Sequence, residues 1–174
     1  MKKWNLDLFY KIYKNRTKTL SICSWVISNK IFLFMFFGFW SILFLIIKRD
    51  WPLAYKLSFN IFLILLLTKV IIDDVIKKLT YHPRPYLTQT DILPLGKKEQ
   101  GSTSPSGHVT AVTAGVLTLC FYSPWFVLLL PLIPLIMWSR VYNGMHWPID
   151  VFLGLILGIV FSNFSFIISS LFFK

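Results

Sequence analysis

The sequence has little charge for its length and, in particular, few acidic residues. Only 14% of its residues are charged, with 7 Asp and Glu against 18 Lys and Arg. Because about a quarter of the residues in soluble domains are charged, this composition excludes an ordinary soluble domain. The hydrophobic fraction of 56%, with 17 Phe and 7 Trp, is typical of a chain that lies in a membrane.

Cysteine is also scarce. The two cysteines, Cys23 and Cys120, lie far apart in apolar surroundings. This excludes a disulfide framework and a zinc site with the usual cysteine spacing. The few acidic residues do not form the carboxylate cluster that a divalent cation site requires. We therefore expect no metal and no other cofactor.

The sequence has no convincing cleavable signal peptide, no internal repeats and no low-complexity linkers. The first apolar run begins only at Ile31, after a long basic segment, and no small-residue cleavage site follows it. A length of 174 residues favours one domain. We therefore expect residues 1–174 to form a single integral-membrane domain.

The net charge of +11 predicts an acidic partner. On a soluble chain it would indicate nucleic acid, but on an apolar chain it indicates anionic lipid headgroups or a phosphate substrate. We therefore predict contact with the lipid bilayer and with a phospholipid or glycolipid phosphate, and no nucleic acid partner. The sequence leaves the oligomeric state open.

Long apolar runs predict an all-α fold, a polytopic transmembrane helical bundle with about five spanning helices. A bilayer core requires about 20 residues per span, with a range of about 17–25. Pro131 and Pro134 predict a kink in the fourth span, and Gly154 and Gly158 predict a close packing face in the fifth. Residues 77–105 are polar and contain four prolines, which predicts a loop outside the membrane. The predicted spans are 31–47, 53–76, 107–122, 125–142 and 151–173.

Residues 4–28 predict one amphipathic helix ahead of the first span. Phe9 and Thr17 fall on one helical face, and Lys11 and Lys14 fall on another. A basic, aromatic helix of this kind lies in the membrane interface rather than crossing the bilayer.

Five spans place three polar clusters at the same membrane face. The second span ends there, the third begins there, and the fourth and fifth meet there. The clusters are residues 77–84, 106–108 and 140–150. Ionisable residues at membrane depth are costly and are functional by default. Three such clusters at one place are difficult to explain as helix capping.

The third cluster contains Arg140, His146 and Asp150. Pro148 fits the first turn of a helix, so His146 lies just before that helix and Asp150 in its first turn. The carboxylate can then reach one ring nitrogen of His146, fix the tautomer and leave the other nitrogen as a base or nucleophile. The structural alternative is a capped helix end with a surface histidine.

The other two clusters supply groups that suit phosphate. Lys77 offers a compact charge and Arg84 a planar fork held by prolines, although such a stretch also fits a basic loop beside a span. Ser106 is a good N-cap, and Gly107 permits close backbone approach. His108 lies beside a helix N-terminus that attracts anions. An ordinary helix start is the alternative.

Together these groups fit phosphoryl transfer through a phosphohistidine without a metal, because the cations can balance charge on the phosphoryl oxygens. At this point the sequence resembles the type 2 phosphatidic acid phosphatase family over about residues 70–155. The three parts of the family signature are present in order and with their spacings. The first is Lys77, six further residues and Arg84-Pro85, and the second is Pro105-Ser106-Gly107-His108. The third is Ser139-Arg140, followed after five residues by His146 and after three more by Asp150.

The resemblance implies a membrane lipid phosphatase with a helical bundle. By position, His146 is the nucleophile, Asp150 its orienting partner, and His108 the acid that protonates the leaving oxygen. The residues that would hold the phosphate are Lys77, Arg84, Ser106, Gly107 through its N–H, and Arg140. Many members of the family have six spans, whereas this sequence predicts five, with the amphipathic segment in place of the first.

Small bacterial members of the family remove the 1-phosphate of lipid A or hydrolyse undecaprenyl diphosphate or phosphatidylglycerol phosphate. Lipid A ranks first here, because a compact chain with a basic, aromatic N-terminal helix can hold a bulky anionic glycolipid. Related vanadate-binding oxidases share the phosphate-site pattern but are soluble. A transporter or scaffold that binds lipid headgroups without turnover would need the cations alone, not two histidines and an aspartate.

The resemblance also implies a bacterial inner membrane location. The basic N-terminal residues share the face of the three clusters, and the positive-inside rule alone would make that face cytoplasmic. Bacterial lipid phosphatases of this family usually act on the outer face, and an interfacial helix can rest on headgroups instead of obeying the rule. We therefore predict an active site at the periplasmic face.

Overall fold

The fold is built from helices. The computed structural model describes residues 2–173, with the side chains at positions 30, 31 and 34 excepted, and within that range it contains no β-strand. This confirms the predicted all-α class. The α-helices are α1 (Lys3–Tyr13), α2 (Lys18–Ile27), α3 (Lys30–Lys48), α4 (Trp51–Leu67), α5 (Lys77–Leu79), α6 (Pro85–Thr88), α7 (Gly107–Tyr122), α8 (Leu132–Tyr142) and α9 (Pro148–Phe172).

Large apolar side chains lie on the outside of the bundle. Phe39 and Phe62 are each 61% exposed, and Ile167 is 60% exposed. Burying such side chains in lipid is favourable, whereas water disfavours them. Among residues 2–173, two helical segments are long and apolar enough to cross a membrane, Pro124–Tyr142 and Pro148–Phe172. The count of five spans stays a prediction.

The second predicted span begins as an α-helix and continues as a π-helix. α4 begins at an N-cap, where Asp50 Oδ1 accepts a hydrogen bond of 3.0 Å from Leu53 N–H. It then passes into a π-helical segment, Thr68–Ile76, which continues directly into α5 at Lys77. π-Helical insertions are rare and often occur at functional sites. The change of winding therefore lies immediately before the first predicted phosphate-binding residue.

Two glycines allow α7 and α9 to pack closely. A Cβ atom at Gly154 would lie 2.8 Å from the carbonyl oxygen of Ser106, and one at Gly158 would lie 2.5 Å from Thr113 Cβ. Neither position has room for a side chain, which confirms the predicted packing face on the last helix. This contact fixes the start of α7 against the start of α9, where two of the polar clusters lie.

The fourth predicted span is interrupted, as its prolines predict. Residues Pro124–Leu129 form a 3₁₀ helix, and α8 follows with Pro131 at its N-cap position. Proline cannot donate a backbone hydrogen bond and therefore ends one helical segment and begins the next. α8 carries Arg140 in its last turn.

The N-terminal segment differs from the single helix predicted over residues 4–28. Two helices, α1 and α2, are separated at Thr17, whose Oγ1 accepts a hydrogen bond of 3.2 Å from Leu20 N–H and caps α2. The prediction counted Thr17 as part of a continuous helical face, whereas its hydroxyl begins a new helix. The interfacial position of this segment stays a prediction.

The N-terminal helices hold the segment that joins α8 to α9. Arg16 Nε and Nη2 donate to the carbonyl oxygen of Tyr142 at 3.0 and 2.7 Å. Asn5, which is buried, accepts a hydrogen bond of 3.0 Å from Ile149 N–H in the first turn of α9. Each contact satisfies a backbone group that a helix terminus leaves unpaired. The N-terminus is therefore part of the framework around the third polar cluster.

Candidate active site

The three polar clusters meet at one end of a cavity of about 1230 Å³. The first cluster reaches it from α5 and the loop that follows, the second from the start of α7, and the third from the segment before α9. Apolar residues of α3, α4 and α7 line the rest of the cavity. The predicted site residues in its wall are Lys77, Arg84, Gly107, His108 and His146.

His146 is held in one tautomer. Its Nδ1 lies 3.0 Å from Thr103 Oγ1, and that hydroxyl donates to Asp150 Oδ2 at 2.9 Å. Because the hydroxyl has a single proton and an ionised carboxylate only accepts, Thr103 Oγ1 must accept from the imidazole. This network assigns the proton to Nδ1 and leaves a lone pair on Nε2.

The predicted direct hydrogen bond between Asp150 and His146 is wrong. Asp150 Oδ2 lies 4.0 Å from His146 Nδ1, which is too far for a hydrogen bond. The same oxygen accepts from Trp147 N–H at 2.8 Å, so the carboxylate is bound to its own helix start. Thr103 fills the gap and connects the two side chains. Asp150 therefore orients the ring through an intermediate hydroxyl.

The unprotonated Nε2 of His146 accepts a hydrogen bond from a guanidinium. Arg140 Nη2 lies 3.2 Å from His146 Nε2, and both side chains are buried. Burial lowers the pKa of His146 well below its ordinary value of 6.5, and the charges of Arg140, Arg84, Lys77 and His108 lower it further. The imidazole is therefore neutral at physiological pH, with its Nε2 lone pair directed toward positive charge.

The two cations of the first cluster are each paired with a carboxylate. Arg84 Nη2 donates to Glu99 Oε2 at 2.8 Å, and its Nη1 donates to the carbonyl oxygen of Met145 at 3.2 Å. Lys77 Nζ donates to Asp73 Oδ1 at 2.8 Å. Asp73 and Glu99 also line the cavity. The positive charge of the site is thus partly balanced by the protein itself.

Ser106 is the N-cap residue of α7, as predicted, but its side chain does not cap the helix. Ser106 is fully buried, but its hydroxyl makes no capping bond, and Oγ has no hydrogen-bond partner among the described residues. Its backbone N–H donates to the carbonyl oxygen of Asp150 at 3.0 Å. A Cβ at Gly107 would lie 4.0 Å from Lys77 Nζ. The helix N-terminus therefore lies beside the cation of α5.

Sequence reasoning missed three residues of this site. Thr103 belongs to a run of hydroxyl residues that gave no sign of which one would reach the histidine. Glu99 lies in the loop predicted over 77–105 without any motif around it. His82 lies inside the first cluster, and its Nδ1 is 3.1 Å from Asp150 Oδ1. A histidine between a lysine and an arginine was the one available signal.

The described residues offer no obvious metal site. Between positions 2 and 173, no group of three or more His, Cys, Asp and Glu side chains is arranged to hold a metal ion. The expectation of a metal-free site stays a prediction.

Two curated relatives share part of the sequence. An undecaprenyl-diphosphatase from Sulfolobus acidocaldarius is 35% identical over 91 residues, which are 51% of this chain and 44% of the relative. YbjG from Escherichia coli K12, provisionally named an undecaprenyl-diphosphatase, is 43% identical over 58 residues, 32% of this chain and 29% of that protein. The matched part therefore spans less than half the length of either relative.

Two solved structures share the fold over almost the whole chain. LpxE from Aquifex aeolicus superposes with a TM-score of 0.73 at 25% identity, covering 94% of this chain and 95% of that one. The PAP2-type transmembrane phosphatidylglycerolphosphate phosphatase from Bacillus subtilis gives a TM-score of 0.69 at 19% identity, covering 95% of this chain and 84% of the other. The second likeness concerns the fold alone.

The sequence profile of the PAP2 superfamily matches residues 57–173, which contain all three polar clusters and the helices that carry them. This match covers most of the chain and agrees with the fold of the two solved structures. The protein is thus a membrane protein with the helical framework of that family. The chain belongs to the PAP2 superfamily.

Proposed function

We propose that this protein is a lipid phosphatase that transfers a phosphoryl group from a membrane lipid to His146 Nε2 and then to water. The observation that carries the proposal is a buried, neutral histidine in the wall of a cavity. Its proton is fixed on Nδ1 by Thr103, its Nε2 accepts a hydrogen bond from Arg140 that the phosphoryl oxygens of the substrate would take over, and the charges of Arg84 and Lys77 act on it. Such a nitrogen is a nucleophile prepared for an anionic substrate.

In the first step, His146 Nε2 attacks phosphorus, and the bond from phosphorus to the lipid oxygen breaks. His108, protonated at the outset, gives its proton to that oxygen. Lys77, Arg84 and Arg140 bind the phosphoryl oxygens, with the Ser106 hydroxyl and the Gly107 N–H as further donors. The product is a phosphohistidine with a proton still on Nδ1.

The ring of His146 becomes positively charged when the new nitrogen–phosphorus bond forms. Thr103 accepts the Nδ1 proton in a hydrogen bond, and Asp150 supports Thr103 with a negative charge. In the second step, water attacks phosphorus while neutral His108 takes a proton from it. The nitrogen–phosphorus bond then breaks, inorganic phosphate leaves, and both histidines return to their starting states.

The apolar part of the cavity fits a lipid tail. Gly38 on α3 leaves open space in the wall, Gly115 on α7 lies against the ring of Phe37, and Ile61 and Ile64 of α4 also line the cavity. A cavity of about 1230 Å³ exceeds the usual small-molecule pocket of about 300–1,000 Å³. A phosphate at the polar end with hydrocarbon along these helices is the arrangement that a membrane lipid requires.

We propose the 1-phosphate of lipid A as the first-ranked substrate, because the cavity is wide and its polar end is strongly basic. Undecaprenyl diphosphate is the second, favoured by the activity named for the curated relatives. Phosphatidylglycerol phosphate is the third. We further propose that the reaction needs no metal and takes place at the periplasmic face of a bacterial inner membrane.

The test is phosphate release by the purified protein in detergent with EDTA present. The panel is lipid A, undecaprenyl diphosphate, phosphatidylglycerol phosphate and phosphatidic acid, with His146→Ala and Asp150→Asn measured alongside. We expect release from one lipid that is abolished in His146→Ala and strongly reduced in Asp150→Asn. We also expect inhibition by vanadate, which mimics the transferring phosphoryl group.

The phosphoenzyme provides a second readout. With a phosphorus-labelled lipid and rapid quenching in base, the wild-type chain should retain label that acid removes, and His146→Ala should retain none. Full turnover by His146→Ala would contradict the proposed nucleophile. Turnover that disappears in EDTA would show a metal requirement. Release from no lipid would favour a membrane protein that binds anionic headgroups without turnover.

A further inference from the structure

A second histidine contacts the carboxylate that supports the proposed nucleophile. His82 Nδ1 lies 3.1 Å from Asp150 Oδ1, while Asp150 Oδ2 accepts from Thr103 and from the Trp147 N–H. We propose that His82 is a positioning residue of the reaction, which fixes Asp150 so that Thr103 and His146 keep their alignment. This inference rests on the proposed phosphatase function.

The direction of this hydrogen bond depends on the charge of Asp150, whose pKa is raised by burial. When Asp150 is ionised it only accepts, and His82 Nδ1 then carries the proton and donates it. The carboxylate then receives a donor on each oxygen, and its plane is fixed by groups from three segments of the chain. Without the donor on Oδ1, only the two hydrogen bonds to Oδ2 would hold the carboxylate, and the position of the oxygen that accepts from Thr103 would be less well fixed.

The backbone around His82 is held in place by the same segment that carries Thr103. His82 N–H donates to Ser102 Oγ at 3.1 Å, and the carbonyl oxygen of His82 accepts from Thr103 N–H at 2.8 Å. The carbonyl oxygen of the next residue, Pro83, accepts from Trp147 Nε1 at 3.0 Å. The two side chains that donate to Asp150 are therefore connected to each other through the backbone.

Among His82, His146 and Asp150, His82 is the residue whose side chain is exposed. Its side chain is 37% exposed, whereas those of His146 and Asp150 are 2% and 0% exposed. A packing role would favour an apolar side chain in a buried position. A half-exposed imidazole whose contact is with a buried carboxylate instead indicates an electrostatic and orienting role.

Three substitutions of His82 distinguish a role as hydrogen-bond donor to Asp150 from an effect of removing the side chain. The amide nitrogen of Asn lies about where Nδ1 of His lies, so His82→Asn keeps a donor toward Asp150. The longer His82→Gln places its amide near the Nε2 position, and His82→Ala has no donor. Tyr81, exposed and on the same loop, provides Tyr81→Ala as a control.

The experiment measures kcat and KM for phosphate release, and thermal unfolding, for all four variants. We expect kcat to decrease by about 10- to 100-fold in His82→Ala and His82→Gln, as for other residues that orient a functional group. KM should stay within about twofold, because His82 is not among the residues that line the cavity. His82→Asn should recover most of kcat, and Tyr81→Ala should equal wild type.

Three negative outcomes are distinguishable. If wild type hydrolyses a lipid and His82→Ala is equally active, the positioning role is wrong and the proposed phosphatase function is unaffected. If wild type releases no phosphate from any lipid, the proposed function itself fails. An equal loss of kcat in His82→Asn and His82→Ala, together with a lowered unfolding temperature in both, would assign His82 a structural role only.

Discussion

At the scale of single residues, the hydroxyl of Thr103 is the connection on which the proposed nucleophile depends. Thr103→Val keeps the shape but removes the hydrogen bonds of the hydroxyl to His146, to Asp150 and to the carbonyl oxygen of Met145. We expect kcat to decrease by about 10- to 100-fold, equivalent to about 1.4–2.7 kcal/mol in the barrier. The measurement is steady-state phosphate release on the preferred lipid.

Thr118→Val is the matched control for this change. Thr118 is also fully buried, but it lies on α7 away from the site, and its Oγ1 has no partner among the described residues. Removing an unsatisfied hydroxyl should leave activity unchanged and stability equal or higher. Equal activity of Thr103→Val and Thr118→Val would contradict the role of Thr103.

The lowered pKa of His146 predicts how the first step depends on pH. Burial, followed by the nearby cations, lowers that pKa well below 6.5. A lowered pKa means that Nε2 keeps its lone pair as the pH falls through 6.5. We therefore expect the rate of phosphoenzyme formation, measured by rapid quenching, not to decrease between about pH 7 and pH 6. A decrease that follows an ordinary imidazole titration would contradict this expectation.

The same shift affects stability in a defined direction. Below pH 6.5 the unfolded chain binds a proton at His146 that the folded chain does not bind. The contribution of this residue therefore makes the free energy of unfolding decrease as the pH falls below 6.5. His146→Gln lacks that contribution, so its unfolding temperature should depend less on pH.

At the scale of helices, the contact between α7 and α9 brings the second and third clusters together. Gly158→Ala places a Cβ where Thr113 Cβ is 2.5 Å away and the carbonyl oxygen of Thr110 is 2.9 Å away. We expect overpacking to reduce stability by about 1–3 kcal/mol. The measurement is the unfolding temperature in detergent, with phosphate release as a second readout.

Gly38→Ala is the matched control on another helix. A Cβ at Gly38 meets nothing within 4 Å, so only the higher helix propensity of alanine, about 1 kcal/mol, should act. Its unfolding temperature should therefore equal or exceed that of wild type. If both alanine variants unfold at the wild-type temperature, the close approach of α7 and α9 is not a stabilising feature.

The parts of the fold that local sequence controls were predictable. The helix starting at Pro148, the interruption at Pro131 and the glycine face of α9 all follow from residues within one or two helical turns. The break at Thr17 was also predictable, since threonine is a good N-cap, but the helical periodicity of residues 4–28 continues across Thr17 and favours a single helix. Local patterns therefore predict element types better than their boundaries.

The site was predictable only as far as its motifs reach. His146 and Asp150 are four residues apart, so the sequence places them together. Thr103 and His82 come from the loop between α5 and α7, and their contacts depend on how that loop folds over the start of α9. No periodicity describes such a loop, and for this reason the hydroxyl between His146 and Asp150 was missed.

At the scale of the whole molecule, the orientation in the membrane decides which lipids can be reached. α4, its π-helical continuation and α5 run from the turn at Arg49 to the active-site end at Lys77. Lys98, in the active-site loop, and Arg49 are both exposed. Cysteines at these two positions would therefore report on opposite sides of the membrane.

The measurement is labelling by a membrane-impermeant maleimide in spheroplasts, in a background with Cys23→Ser and Cys120→Ser. With a periplasmic site, Lys98→Cys should be labelled in intact spheroplasts, and Arg49→Cys only after lysis. The reverse pattern would place the site in the cytoplasm, as the positive-inside rule alone suggests. Labelling of both positions before lysis would contradict the predicted arrangement of spans.

The pairing of Lys77 with Asp73 and of Arg84 with Glu99 has a consequence for the catalytic cycle. The resting protein carries its own counter-anions, so the arrival of a lipid phosphate is an anion exchange rather than the filling of a bare positive pocket. After hydrolysis the two carboxylates can return to their cations and displace inorganic phosphate. Under the proposed phosphatase function, we expect this return to assist product release, so that a site with several positive charges is not trapped by the ion that it produces.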